Sequence, residues 1–88
     1  MIPAVTQRQL DLLRFIHRFR QENDFAPCHR EMMDALGVAS TCGIADHLSR
    51  LERKGLIVRR ARLQRAIRLT ETGRLLVQAQ ETAEALLA

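Results

Sequence analysis

The first long stretch of the chain alternates apolar and polar residues with the period of an α-helix. Thr6 and Gln9 stand three residues apart at its start, the spacing of a capping box in which each side chain bonds the other residue's backbone N–H. The apolar positions that follow, at intervals of one to three residues, are Leu12, Leu13, Ile16 and Phe19. This pattern predicts a helix over 7–22.

Two further helices are predicted behind the first, and a short turn separates them. The earlier one covers 29–36 and stops at Gly37, a residue type that readily adopts the left-handed conformation of a helix end. The later one covers 41–54 and is capped by Ser40 or Thr41. Its apolar stripe consists of Ile44, Leu48 and Leu51. A short helix, a turn containing glycine and a longer helix have the spacing of a helix-turn-helix.

Beyond Gly55 the pattern changes from helical to extended. Segments 56–60 and 66–69 are rich in β-branched residues and are joined by a short polar link, which predicts a β-hairpin. Thr70 then caps a last helix over 71–87. The apolar residues of this helix form a broad stripe of Leu75, Leu76, Ala79, Ala83, Leu86 and Leu87. The expected fold class is mainly α with a small β-hairpin.

The length and composition limit what such a chain can be. Eighty-eight residues, of which 47% are hydrophobic and 27% charged, suffice for one small domain with one core. No apolar run approaches the roughly 18 residues of a membrane span, and the first residues have no signal-peptide core. We therefore expect a soluble, cytoplasmic protein. Two cysteines, Cys28 and Cys42, are too few for a disulfide framework and are expected to be reduced.

Basic residues are concentrated in one part of the chain. Residues 50–68 hold eight lysines and arginines against one acidic residue, Glu52, whereas residues 71–88 carry an excess of acidic residues. Nearly all of the cations are arginine, whose planar guanidinium suits phosphate groups and guanine edges. A solvated charge run is the alternative interpretation. The position of the run, at the end of the third helix and across the hairpin, favours nucleic-acid binding.

The most specific sequence motif lies at the end of the third helix. The motif and its companions are His47-Leu48, 51–57 (LERKGLI), 26–31 (APCHRE), 36–38 (LGV) and 6–9 (TQRQ). Together they make residues 6–69, about three quarters of the chain, resemble the N-terminal DNA-binding domain of LexA-type repressors. The resemblance implies a winged helix-turn-helix over 6–69, with three helices and a two-stranded wing. A tail over 1–5 would precede it, and a C-terminal helix over 70–88 would follow.

The resemblance also implies a function. A domain of this kind would bind double-stranded DNA in a sequence-specific manner and act as a transcriptional repressor associated with the nucleoid. The resemblance suggests that it comes from a bacterium or from its phage or plasmid. LexA proteins continue into a self-cleaving domain with a Ser/Lys dyad, whereas this chain ends soon after the wing and its only lysine, Lys54, belongs to the helix-end motif. We therefore expect no self-cleavage and no enzymatic activity.

The third helix supplies the candidate base-reading residues. Its apolar stripe would face the core and leave the opposite side for the major groove. The residues on that side, which match the base-contacting positions of the LexA family, are Ser40, Thr41, Cys42, Gly43, Ala45, Asp46 and Ser49. Most are small and suit contacts with thymine methyl groups, and they differ from the usual LexA pattern, so we expect a different operator. The alternative interpretation is that Cys42 and Ala45 only fill the surface.

Arginines around this helix are candidates for contacts with the DNA backbone. Such contacts position a protein on the duplex without specifying a sequence, and a wing arginine can also enter a narrow minor groove. The candidates on the helices are Arg30, Arg50 and Arg53, and those on the wing are Arg59, Arg60, Arg62 and Arg65.

A metal site is the less favoured interpretation of the cysteines and histidines. Cys28, His29, Cys42 and His47 are potential ligands, but they include no tight Cys-x₂-Cys pair, and two adjacent ligands suit few tetrahedral geometries. His47 is instead expected to be packed or hydrogen-bonded near the core. We expect no metal and no cofactor.

Catalysis and single-strand binding have still less support. The acidic residues are dispersed over helices that are needed for packing, and nothing resembles a nucleophile with its base. Phe15, Phe19 and Phe25 are expected in the core, which leaves no aromatic platform on which unpaired bases could stack.

The C-terminal helix raises the question of oligomeric state. A winged helix of this size is expected to complete its core without an additional helix. The stripe of Leu75, Leu76, Ala79, Ala83, Leu86 and Leu87 is therefore expected to pair two copies into a homodimer, although packing on the first helix stays an alternative. A two-fold dimer would read two half-sites related by symmetry.

The sequence thus predicts a DNA-binding transcriptional regulator. The alternative, from another class, is a winged-helix module that binds a protein through its third or last helix. Substitution of the wing arginines by alanine would separate the two, because it would abolish DNA retention and leave protein binding intact. The operator, the regulated genes, the relieving signal and the choice between activation and repression cannot be deduced from the sequence.

Overall fold

Caps and turns that the sequence predicts set the ends of the helices. The computed structural model describes residues 4–60 and 66–87 of the chain. In these ranges the elements, in chain order, are α1 (Gln7–Asn23), α2 (His29–Leu36), α3 (Thr41–Arg53), β1 (Ile57–Arg59), β2 (Ile67–Leu69) and α4 (Glu71–Leu87). Every end lies within one residue of its predicted position, and the predicted fold class of a winged helix-turn-helix followed by a helix is confirmed.

The first helix begins with the predicted capping box. The hydroxyl of Thr6 accepts a hydrogen bond from the backbone N–H of Gln9 at 3.2 Å, and the Gln9 side-chain Oε1 accepts from the backbone N–H of Thr6 at 3.3 Å. Two of the N–H groups that a helix start leaves without partners are thereby satisfied.

The turn between α2 and α3 combines a helix stop with a new cap. Gly37 ends α2 with φ +67°, a left-handed conformation that glycine adopts without a steric penalty. Ser40 caps α3, since its hydroxyl accepts from the backbone N–H of Cys42 at 3.1 Å. The two helices therefore meet through the short turn that a helix-turn-helix needs.

The wing is the antiparallel hairpin of β1 and β2. Its register pairs Ile57 with Leu69, Val58 with Arg68 and Arg59 with Ile67. The segment that joins the strands, 61–65, lies outside the described residues, and so do its DNA-contact candidates Arg62 and Arg65 and the first three residues of the predicted tail.

The core lies between the helices and one face of the wing. Its buried apolar side chains come from all six elements and from the segments beside them; they are Leu12, Leu13, Ile16, Ala26, Met32, Leu36, Ile44, Leu48, Leu51, Leu56, Ile57, Ile67, Leu69 and Val77.

Within the described ranges no helix combines the length and the apolar character needed to cross a membrane.

The aromatic residues depart from the prediction. Phe15 and Phe19 are half-buried and their ring centroids lie 5.8 Å apart. Phe25, expected in the core, is 43% exposed and packs edge-on against Phe19, with ring centroids 5.7 Å apart. The assignment of Phe25 to the core is therefore wrong, because the turn after α1 places it at the rim of the domain.

The first half of α4 completes the core. Val77 is fully buried, and Gly73 is buried against the backbone of Leu56. The hydroxyl of Thr70 accepts from the N–H of Gly73 at 3.1 Å and donates to the carbonyl oxygen of Gly55 at 2.6 Å, so the cap of α4 is also tied to the end of α3. The expectation that the winged helix buries its core without α4 is wrong, since α4 supplies a core side chain.

The second half of α4 is attached to α1 by an ion pair. Both terminal guanidinium nitrogens of Arg14 donate to the two carboxylate oxygens of Glu84 at 2.7 Å. The hydrogen bond and the positive charge of Arg14 hold the pKa of the Glu84 carboxyl below its usual value, and the same bond raises the pKa of Arg14.

The attachment of the α4 end is therefore expected to depend on pH. A carboxyl whose folded pKa is lowered stabilises the fold above its unfolded pKa of about 4.3, and this contribution is lost as the pH falls through the folded pKa. The protection factors of the amides of residues 80–87, which are corrected for the intrinsic pH dependence of exchange, should fall relative to those of the core on acidification from pH 6 to pH 3. The Glu84→Gln variant should show these lower protection factors already at pH 6. Equal exchange of variant and wild type at pH 6 would contradict the prediction.

Candidate nucleic-acid interface

Helix α3 has one buried side and one exposed side. The predicted stripe of Ile44, Leu48 and Leu51 is fully buried against α2, α1 and β1. Basic residues occupy its last turn, where cations complement the negative end of the helix dipole. The opposite side is exposed and can therefore contact another molecule.

Four residues of α3 share the side opposite the core. Cys42, Asp46, Ser49 and Arg53 follow one another at intervals of four, three and four residues, which places them on one stripe of the helix. Cys42, Asp46 and Arg53 are exposed and Ser49 is half-buried. We call this stripe, with the exposed Thr41 and the half-buried Ala45 beside it, the reading face.

Gly43 does not belong to the reading face. A Cβ atom at Gly43 would stand 3.0 Å from Cγ1 of Val38, so the open side of this residue faces the turn between α2 and α3. The sequence-based placement of Gly43 toward the groove is corrected accordingly: the missing side chain lets α3 approach the turn closely. Ser40 likewise serves as the cap of α3 and remains exposed at its start.

Two predicted DNA-contact arginines are paired with acidic residues of α3. Nε of Arg50 donates to Asp46 at 2.9 Å, and Nη2 of Arg59 donates to Glu52 at 3.1 Å and to the Ser49 hydroxyl at 3.4 Å. The pair of Arg50 with Asp46 is exposed on both sides, so water and salt screen it and it is readily exchanged for other partners. The contact of Arg59 ties β1 to α3.

Three other predicted arginines have no acidic partner among the described residues. Arg30, Arg53 and Arg60 are exposed, and in the ranges 4–60 and 66–87 none of them forms an ion pair. They lie at the start of α2, at the end of α3 and directly after β1. The helix-turn-helix and the wing thus both present unneutralised guanidinium groups.

Two side chains that no sequence motif indicated hold the helix-turn-helix against α1. Nη1 of Arg8 donates to the carbonyl oxygen of Leu36, the last residue of α2, at 2.8 Å. Gln9, only 2% exposed, accepts from Nζ of Lys54 at the end of α3 at 2.6 Å. The start of α1 therefore contacts the end of each helix of the motif. The capping-box spacing accounted for Gln9 locally and gave no signal of this second contact.

The potential metal ligands are not brought together. Cys28 is half-buried, while His29 and Cys42 are exposed. No three or more histidine, cysteine, aspartate or glutamate side chains in the described part of the chain are grouped as a metal would require. His47 is half-buried, and its buried Nδ1 has no hydrogen-bond partner there.

The predicted dimerisation residues of α4 divide into two groups. Leu76 is half-buried and packs against the core of its own domain. Leu75 and Leu86 are 53% and 81% exposed, and with Ala79 they lie at intervals of four and seven residues on the side opposite Val77. Ala83 and Leu87 are exposed beside this stripe.

Comparison with known proteins identifies relatives of the described region. The profile of the LexA DNA binding domain matches residues 3–66. A LexA repressor of Anaeromyxobacter sp. (strain Fw109-5) is 50% identical over 56 residues, which are 64% of this chain and 24% of that protein. A LexA repressor of Lactobacillus johnsonii is 45% identical over 67 residues, or 76% of this chain and 32% of that protein.

A third relative has a similar identity and coverage. A LexA repressor of Bacillus licheniformis is 43% identical over 68 residues, which are 77% of this chain and 33% of that protein. The chain thus spans about a quarter to a third of the length of these curated relatives. The resemblance deduced from the sequence motifs is confirmed.

Proposed function

Because the chain belongs to the LexA DNA-binding domain family, we propose that it binds double-stranded DNA in a sequence-specific manner and represses transcription. The observation that carries this proposal is the reading face of α3, which lies opposite a fully buried stripe and is flanked by Arg30, Arg53 and Arg60, none of which forms an ion pair with the described residues. A helix of this kind fits the major groove with its first turns toward the base edges.

The chemistry of the reading face suggests what it recognises. Thr41, Cys42 and Ala45 offer small, mostly apolar surfaces that can approach the methyl groups of thymines. Asp46 can accept a hydrogen bond from a cytosine amino group once Arg50 turns to a phosphate. Breaking an exposed ion pair requires little free energy, so Arg50 can exchange Asp46 for a phosphate readily.

The arginines would set the position on the duplex. Arg30 and Arg53 can reach phosphates on either side of the groove that α3 enters, and Arg60 can do so from the wing. Arg59 is already held against Ser49 and Glu52, so it would present its remaining N–H groups in a defined orientation. Arg62 and Arg65 remain candidates from the sequence.

We extend the proposal to a homodimer that occludes a promoter. The exposed stripe of Leu75, Ala79 and Leu86 would meet the same stripe of a second copy about a two-fold axis, with the small Ala79 allowing close approach. Such a dimer would place two copies of α3 on two symmetric half-sites of the bacterial chromosome. Bound across a promoter, it would exclude the transcription machinery.

Selection of bound sites from random duplex DNA tests this proposal most directly. We expect enrichment of one motif that consists of two inverted half-sites. The Leu86→Glu variant, which places a charge in the proposed dimer interface, should select the half-site alone. Recovery of no motif would contradict sequence-specific binding and would favour the protein-interaction alternative. A motif without inverted symmetry would retain DNA reading and overturn the dimer.

The salt dependence of binding gives an independent prediction. A dimer with about eight phosphate contacts should release a comparable number of counterions, so the slope of log K against log salt concentration should be about −7. Fluorescence anisotropy with the selected duplex, at NaCl concentrations from about 50 to about 300 mM, measures this slope. A slope shallower than about −2 would contradict backbone binding by the arginines.

A further inference from the structure

A cavity of about 560 Å³ opens on the side of the wing away from α3. Its walls include His17 and Arg20 of α1, Val58 and Arg68 of the wing, and Arg74 of α4. In the packing of the domain β1 contacts α3, whereas β2 contacts α1 and α4. DNA that lies on the reading face would therefore not fill this cavity.

The cavity has an excess of positive charge. Among the described residues that line it, three are arginines and one, Glu71, is acidic. Across the part of the chain that the structure describes, none of the three guanidinium groups is paired with a carboxylate. An excess of clustered cations over acidic groups favours the binding of an anion.

Two of the arginines are held in place by the wing. Nη1 of Arg20 donates to the carbonyl oxygen of Ile67 at 3.0 Å, and Nη1 of Arg74 donates to that of Leu69 at 3.2 Å. Each guanidinium has five N–H groups, so each retains donors for a ligand.

The spacing of these two anchors follows from the sheet. Ala66 and Thr70 form backbone hydrogen bonds with Arg60 and Leu56, the residues on either side of β1, so the backbone groups of Ile67 and Leu69 point away from β1, to the open edge of β2. Residues two apart along a strand are separated by about 7 Å. The strand edge thus fixes two guanidinium groups at a separation that two anionic groups of one ligand can span.

Arg68 and Val58 complete the cavity. They face each other across the hairpin, and the side chain of Arg68 is exposed and forms no hydrogen bond or ion pair with the described residues. Val58 is 48% exposed and provides an apolar wall beside the cations. We propose that this cavity binds a small polyanion with at least two phosphate or carboxylate groups, independently of DNA binding.

Titration of the full chain, labelled with ¹⁵N, with sodium pyrophosphate tests the proposal. The ionic strength is held constant with NaCl, and a parallel titration with succinate distinguishes phosphate from carboxylate ligands. We expect saturable amide shifts at His17, Val58, Arg68 and Thr70. Arg68→Glu should weaken binding of the preferred probe at least tenfold, because it reverses a cavity charge whose side chain forms no ion pair with the described residues.

Arg18→Glu is the matched control. It makes the same charge change at an exposed position of α1 that does not line the cavity, so binding should change less than twofold.

An equal loss in both variants, or shifts at Arg30, Arg53 and Arg60 as large as those in the cavity, would show diffuse charge attraction and overturn the proposal. Shifts in the cavity with duplex DNA but with neither probe would overturn it in favour of a DNA contact. The titrations of the two probes contain no DNA, so their failure leaves the proposed repressor function untouched.

Discussion

The Gly73→Ala variant is expected to have a free energy of unfolding about 2–3 kcal/mol lower than that of the wild type. A Cβ atom at Gly73 would overlap the carbonyl oxygen of Leu56 and stand 3.1 Å from its carbonyl carbon. The same oxygen accepts the N–H of Thr70 at 3.0 Å, so it cannot retreat without breaking the connection that starts α4. The gain of up to about 1 kcal/mol that alanine brings to a helix interior is too small to offset this clash.

Urea or thermal unfolding measures the effect, and the midpoint temperature should fall by roughly 10–20 °C. Gly43→Ala is the matched control, because it also replaces a helical glycine but meets only Cγ1 of Val38, a side-chain atom that can shift. Its stability should stay within about 1 kcal/mol of the wild type. A Gly73→Ala variant as stable as the Gly43→Ala control would mean that α4 does not dock on Leu56 as described.

The second large effect concerns DNA binding. Cys42→Glu is expected to weaken binding to the selected duplex by about 100-fold or more, since it places a negative charge against the phosphate-lined groove, and like charges at an interface cost several kcal/mol. The fold should not suffer. Cys42 is exposed in the first turn of α3, where an acidic residue interacts favourably with the helix dipole by about 0.3–1 kcal/mol.

Gln78→Glu provides the control for net charge. It adds the same charge at an exposed position of α4, a helix that packs on α1 and β2, and should reduce affinity by less than about threefold at 150 mM salt, where the Debye length is about 8 Å. Anisotropy titrations with one duplex compare the two variants, and unfolding curves verify their stability. If both variants lost affinity equally, long-range repulsion rather than α3 would explain the result, and the reading face would be misplaced.

Local signals made the elements predictable. The capping box of Thr6 and Gln9, the hydroxyl of Ser40 and the left-handed Gly37 are decided by residues within a few positions of one another, so the helix bounds follow from the sequence. The stripe of Ile44, Leu48 and Leu51 is equally clear because polar residues surround it on the helix. The reading face could therefore be predicted as its opposite side, apart from Gly43.

Contacts between distant segments could not be predicted in the same way. Helix α4 has apolar residues around most of its circumference, so its periodicity does not say which side packs inward. The structure buries Val77, which the predicted stripe did not contain, and leaves Leu86 81% exposed. The choice depends on the close approach of Gly73 to Leu56, a contact between residues that no local pattern connects.

The amino-acid sequence by itself determined the four helices, the hairpin, the buried stripe of α3 and the family, because each rests on short-range spacing or on a continuous motif. Only the tertiary structure decided that α4 belongs to the core, that Gln9 and Arg8 hold the helix-turn-helix, and that Arg20 and Arg74 line one cavity with Arg68. The physical reason is the range of the interactions. Caps and helical periodicity act within a few residues of the chain, whereas packing and charge clustering join side chains up to 70 positions apart, as Arg14 and Glu84 show.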